Sequence, residues 1–166
     1  MRFKRRVFCI ALTLFNVLVD TSVLPFSGLD MRFVPRISLV SVLLIGTVLG
    51  ATQGIIYGAF AGIMLGICAF QPPGLIAISY TVCAMLAGII SNRSKPSLVT
   101  LIPPLVGYTL YEITVLIYSY IETGFFPLAK FGNAGIRLLI ALVLIQLLYI
   151  PVVRILKPTY IGRSRR

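Results

Sequence analysis

Few residues of this chain could carry chemistry, and most of them stand alone in apolar surroundings. Glu112 lies in the middle of an apolar stretch, with Tyr108, Tyr111 and Tyr118 spaced around it. On a helix turning about 100° per residue, Pro104, Tyr108, Tyr111, Glu112, Val115, Tyr118 and Ser119 share one side. Leu105, Val106, Leu110, Ile113, Leu116, Ile117 and Ile121 fall on the other. In lipid such a helix turns one face to protein and one to acyl chains. An ionisable group in mid-membrane is costly. Three roles for Glu112 stay open: a carboxyl hydrogen-bonded inside a bundle, a contact to a partner's helix, or ligand or proton transfer. Asp20 sits about one turn from the end of the first apolar run, and Arg36 and Arg137 begin later runs. An intramembrane ion pair from Asp20 to Arg36 or to Arg137 is expected. A clamp on the fold is its simplest role, and the sequence does not say which arginine takes part.

No catalytic set accompanies these residues. Histidine is absent and only four residues are acidic. Cys9, Cys68 and Cys83 lie inside apolar runs without ligand spacing. They read as small buried apolar residues. The glycines lack the Lys-Ser/Thr ending of a phosphate loop. No catalytic residue, metal site or cofactor is expected.

The elements that must position these residues are membrane helices. The chain has 166 residues, of which 58% are hydrophobic and 11% charged. Soluble domains carry about 25% charged residues, so nearly all of this chain belongs in a bilayer. The net charge of +11 does not point to nucleic acid. The basic residues flank the apolar runs, where they set orientation and meet anionic lipid headgroups. The expected fold is all-α, with six transmembrane helices over about 7–24, 35–50, 54–70, 75–90, 98–121 and 136–155. The first run resembles a signal peptide, but it is long and no cleavage site follows it. Pro35 suits the first turn of span 2. Pro103 and Pro104 should kink span 5 or delay its start. Residues 122–135 form the longest expected loop. Six spans put both termini on one side. If that side is the cytoplasm, it holds eleven of the fifteen basic residues (Arg2, Lys4, Arg5, Arg6, Arg93, Lys95, Arg154, Lys157, Arg163, Arg165 and Arg166). The other side keeps Arg32, Arg36, Lys130 and Arg137. The split predicts N-in and C-in.

Gly46, Gly50, Gly54, Gly58, Gly62 and Gly66 recur every fourth residue within a stretch, 37–70, that carries no charge. As one helix that stretch would measure roughly 50 Å against a hydrocarbon core of about 30 Å. It must fold back, and residues 50–54 are the polar, glycine-rich break. The six glycines are expected to let helix backbones approach closely.

Laid out in order, the chain resembles the MreD family of bacterial rod shape-determining membrane proteins over essentially its whole length. Val34-Pro35-Arg36 stands where the family often has Arg-Pro-Asp/Asn. The turn between Gly50 and Gly54 matches a short glycine-containing turn. Gly58, Gly62 and Gly66, with Pro73-Gly74 following, match a Gly-x-x-x-Gly-x-x-x-Asp pattern with a later Gly. Leu110-Tyr111-Glu112 resembles a Leu-Tyr-Glu of the fifth span. Asn133 and the run to Tyr149-Ile150-Pro151 resemble the last span. Gly66 replaces the family's frequent acid, and Arg36 replaces its Asp/Asn, so a contact made by those acids is altered here. The resemblance implies a non-enzymatic scaffold of the cell-elongation machinery in the bacterial inner membrane. Its implied partner is MreC, a single-span protein. Through it the scaffold is linked to the MreB cytoskeleton and the RodA–penicillin-binding-protein synthase of peptidoglycan. The implied fold is similar to the six-helix substrate-binding S-components of energy-coupling-factor transporters. That similarity supplies the alternative, a small-molecule (vitamin) transporter subunit.

Overall fold

Residues 2–23, 33–68, 73–93, 101–124 and 128–156 are described in a computed structural model of the chain. All elements among them are helical: α1 (Arg2–Leu18), α2 (Ile37–Leu49), α3 (Ala51–Cys68), α4 (Pro73–Arg93), α5 (Ile102–Thr123) and α6 (Leu128–Leu156). A wider π-helical turn, Val19–Val23, extends α1. Three of the helices, α3, α4 and α6, are long and apolar enough to cross a membrane, as expected of a membrane protein. The parts of the expected layout that fall on residues 24–32, 69–72, 94–100, 125–127 and 157–166 lie outside the described residues.

Helix α2 is the hub. It touches each of the other five helices, and every residue from Ser38 to Val48 is buried. Its 13 residues span only about 20 Å. Its run of Leu, Val and Ile has no polar face, because no face meets anything but protein.

Contacts fix the direction of each helix. Asp20, beyond α1, meets the start of α2. Helices α3 and α4 run antiparallel, with Gly62 against Ala77, Gly58 against Thr81, Gly54 against Ala84 and Gly88 against Ala51. Helices α5 and α6 are antiparallel through Glu112–Arg137 and Ser119–Lys130. The start of α2, the start of α4, the far end of α5 and the start of α6 therefore share one end of the bundle.

Glycine sets the spacing. A Cβ on Gly46 or on Gly54 would stand 2.6 Å from the Ala84 carbonyl oxygen, so three backbones meet there. A Cβ on Gly58 would stand 2.9 Å from the Thr81 Cα, and one on Gly62 would strike the Ala77 backbone. Gly66 is buried on the same helix. Gly50 differs from the others. A Cβ there would meet nothing within 4 Å, but its φ is +99°. It turns α2 into α3 by itself, which favours glycine. The break expected over 50–54 is therefore one residue long, and residues 51–54 are already helical.

Other boundaries differ as well. Pro35 precedes α2, because Arg36 is its N-cap in extended conformation. Ser91, Asn92 and Arg93 continue α4, and the Ser91 hydroxyl donates to the Thr47 carbonyl of α2. The two prolines of α5 occupy its first turn, so the helix starts late rather than kinking. The long loop expected over 122–135 is mostly helix. Helix α5 runs to Thr123, capped by Gly124 at φ +68°, and α6 begins at Leu128.

Candidate functional site

The polar residues converge near the shared end of the bundle. Glu112 faces inward from the middle of α5 and is almost fully buried. Arg137 of α6 donates from Nη2 to its Oε2 at 2.8 Å. Two turns of α6 precede Arg137, so it lies deeper than the helix start expected at residue 136. That depth brings it level with Glu112 and away from Asp20.

The Asp20 carboxylate caps a helix, with the Arg36 charge near enough to attract it, while Arg137 pairs with Glu112. The Asp20 carboxylate accepts from the Ile37 N–H at 3.0 Å and the Ser38 N–H at 2.9 Å, and also from the Ser38 hydroxyl. The reason is physical. The first N–H groups of a helix have no partner within it. A carboxylate at a buried N-terminus satisfies them and meets the positive end of the helix dipole. Ser38 also lies 3.1 Å from the Tyr80 hydroxyl. Tyr80 stacks edge-on against Tyr111, with ring centroids 5.6 Å apart, and Tyr111 packs near Tyr108 at 6.4 Å. A continuous file of polar and aromatic groups thus runs from the end of α1 to Glu112.

Beside this file lies a cavity of about 310 Å³. Arg36 at the start of α2, Ser79 of α4, Tyr108, Tyr111 and Glu112 of α5, and Arg137 of α6 supply its polar wall. Leu75, Ile76 and Val115 supply apolar wall, and Thr114 and Tyr118 complete it. Two polar atoms here are buried without a hydrogen bond among the described residues, Arg137 Nε and the Tyr108 hydroxyl. The hydroxyl sits close to the Glu112 carboxylate and the Arg36 main chain without completing a bond to either.

The structure brings together Tyr108, Tyr111, Glu112, Tyr118, Arg36 and Arg137 around the cavity, and Arg137 pairs with Glu112. Tyr118 is 42% exposed at the rim, whereas Tyr108 and Tyr111 are buried. Lys130 of α6 also donates to Ser119 of α5. Ser38, Ser41 and Tyr80 escaped sequence reasoning. Ser38 and Tyr80 join the file, and Ser41 accepts from Asn16. Each is a lone polar residue in an apolar run. Their common signal was period: Ser38 and Ser41 share one helical face toward α1.

The arrangement sets a buried ion pair and several phenols beside a cavity. Among the described residues, no three His, Cys, Asp or Glu side chains stand close enough to hold a metal. Comparison with family models, with curated proteins and with solved structures returns no match.

Proposed function

We propose that this protein is a non-enzymatic membrane scaffold that crosses the bilayer six times and binds a single-span partner through its helices. Helix α6 supplies the supporting observation. It is the longest helix and the least buried of the three long apolar ones. Leu139, Val143, Gln146, Leu147 and Ile150 are all exposed along it. Their spacing makes one stripe, the seam that a second helix reads. Gln146 stands in the middle of that stripe. An exposed amide at membrane depth lacks any lipid partner, and a neighbouring helix would supply one. The short α2 fits six crossings, because its extended lead-in, with Pro35 buried, is shielded by protein.

The resemblance to the MreD family gives this scaffold its proposed setting. It would sit in the bacterial inner membrane with both termini in the cytoplasm. Its partner would be an MreC-like single-span protein, and the pair would link the cytoskeleton to peptidoglycan synthesis. The test is co-purification from mild detergent, with partners identified by mass spectrometry. Recovery of one single-span, coiled-coil protein supports the reading. Recovery of an ATPase pair instead replaces it with the transporter-subunit alternative, which the cavity beside Glu112 favours.

A further inference from the structure

The charges around the cavity are already matched. Arg137 pairs with Glu112 at 2.8 Å, and Asp20 lies near enough to attract Arg36. Two cations thus face two acids. An ion entering this balanced set would bring a charge with no counterpart into an apolar bundle, which is costly. The cavity suits a neutral occupant.

The hydroxyls of the wall fall into two sets. Ser79 donates to the Leu75 carbonyl and Thr114 to the Leu110 carbonyl, so both of those protons are spent. The other three are phenols, Tyr108, Tyr111 and Tyr118, all from α5. The Tyr108 hydroxyl is buried without a hydrogen bond among the described residues, as is Arg137 Nε. A guanidinium nitrogen only donates, and each phenol has one proton to give. The strongest acceptor of the wall, the Glu112 carboxylate, is engaged by Arg137. A neutral occupant complements this wall by bringing acceptor oxygens. Carbonyls do so without adding protons that need partners of their own.

The mouth gives the occupant its second part. The exposed lining residues are Leu75 of α4 and Thr114 and Tyr118 of α5, so the cavity opens between those helices. The flank around it is apolar, with Ile78, Ile113 and Ile117 exposed. A volume of about 310 Å³ is at the small end of ligand pockets. It accommodates the polar end of an amphiphile, while an apolar chain leaves through the mouth.

We propose that this cavity binds the carbonyl-bearing end of a neutral amphiphile, with the α5 phenols donating to the carbonyl oxygens. The proposal does not depend on the scaffold reading, and its readout is separate from partner capture.

The experiment titrates the purified full-length chain in a maltoside detergent, which has no carbonyl. Dioctanoylglycerol and a decyl benzoquinone are the two probes, one with ester carbonyls and one with ring carbonyls. Dioctylglycerol diether, which lacks carbonyls, and dioctanoyl phosphatidate, which adds a charge, are titrated in parallel. Binding is read by native mass spectrometry and by thermal unfolding. One of the two neutral probes is expected to bind once per chain and to raise the unfolding temperature, and the one that does so identifies the source of the carbonyl. Tyr108→Phe combined with Tyr111→Phe should weaken it at least about fivefold, the loss of a neutral hydrogen bond. Val115→Phe, which fills the cavity from its apolar wall, should abolish saturable binding. Absence of saturable binding by both neutral probes overturns the proposal. So does equal binding of the diether, which makes the carbonyl irrelevant, or tighter binding of phosphatidate, which makes the site one for anions. Undiminished binding to the double phenylalanine variant or to Val115→Phe places the site elsewhere and overturns it as well.

Discussion

At the buried N-terminus of α2, Asp20 accepts two backbone N–H groups and the Ser38 hydroxyl. Replacing it with Ala strands those donors. A lost cap costs about 1–2 kcal/mol, and the burial of Asp20 and Ser38 puts Asp20→Ala at the upper end. Asp20→Asn keeps an acceptor and should lose less. The ordering is read from thermal unfolding in detergent. No second change at Arg137, which pairs with Glu112, should rescue Asp20→Ala; rescue would make Arg137 an ion partner of Asp20. Glu112 behaves differently, because its partner is a charge. Removing one member of a buried pair costs on the order of 3 kcal/mol, more than removing both. Glu112→Leu alone should therefore unfold at lower temperature than Glu112→Leu combined with Arg137→Leu. Equal unfolding temperatures would show that the 2.8 Å contact contributes nothing. The sequence singled out all of these residues by type, since acids are rare in apolar runs. It could not pair them. Pairing depends on depth, and the depth of Arg137 follows from a helix start eight residues ahead of the expected one.

At the scale of elements, the α3–α4 contact is the tightest in the protein. Helix association in lipid gains from close packing rather than from the hydrophobic effect. Glycines every four residues supply that packing along one face of α3. Because the atoms facing Gly54, Gly58 and Gly62 are backbone, they have no rotamer by which to yield. Even Gly62→Ala should lower the yield of folded protein, and Gly62→Leu should eliminate it. Gly132→Ala and Gly135→Ala meet nothing within 4 Å. They should stabilise α6 by up to about 1 kcal/mol each through helix propensity. Gly62→Ala with wild-type yield in a membrane-insertion assay would mean that α3 and α4 separate easily. The four-residue period was readable in the sequence because it repeats. The distinct role of Gly50 was not, since spacing does not reveal a positive φ. The helical state of residues 122–123 and 128–135 was also hidden. Glu122, Gly132 and Asn133 suggested a loop by propensity, whereas the Glu112–Arg137 and Ser119–Lys130 contacts hold both helices together past the apolar region.

For the whole molecule, the composition pointed to a membrane protein, because 11% charged residues is far below the roughly 25% of soluble domains, and three of the described helices are long and apolar enough to cross a membrane. The arrangement around α2 was less legible. A helix buried on every side has no amphipathic pattern, so its sequence does not reveal its neighbours. Six crossings with both termini in the cytoplasm remain the proposed layout, on the strength of the basic residues at the chain ends. A fluorescent reporter joined after Arg166 should light up in cells, and a dark fusion with an active periplasmic reporter at that site would reverse the count. The central claim is that the exposed stripe of α6 receives a partner's helix. The most direct measurement is photocrosslinking in native membranes from a photoreactive amino acid placed at Val143, Gln146 or Ile150, with Ile78 and Val82 of α4 as comparison sites. The account predicts one discrete adduct from the α6 positions, containing a single-span membrane protein by mass spectrometry, and none from α4. Adducts with lipid alone at all five positions, or the same protein captured equally from α4, would contradict it.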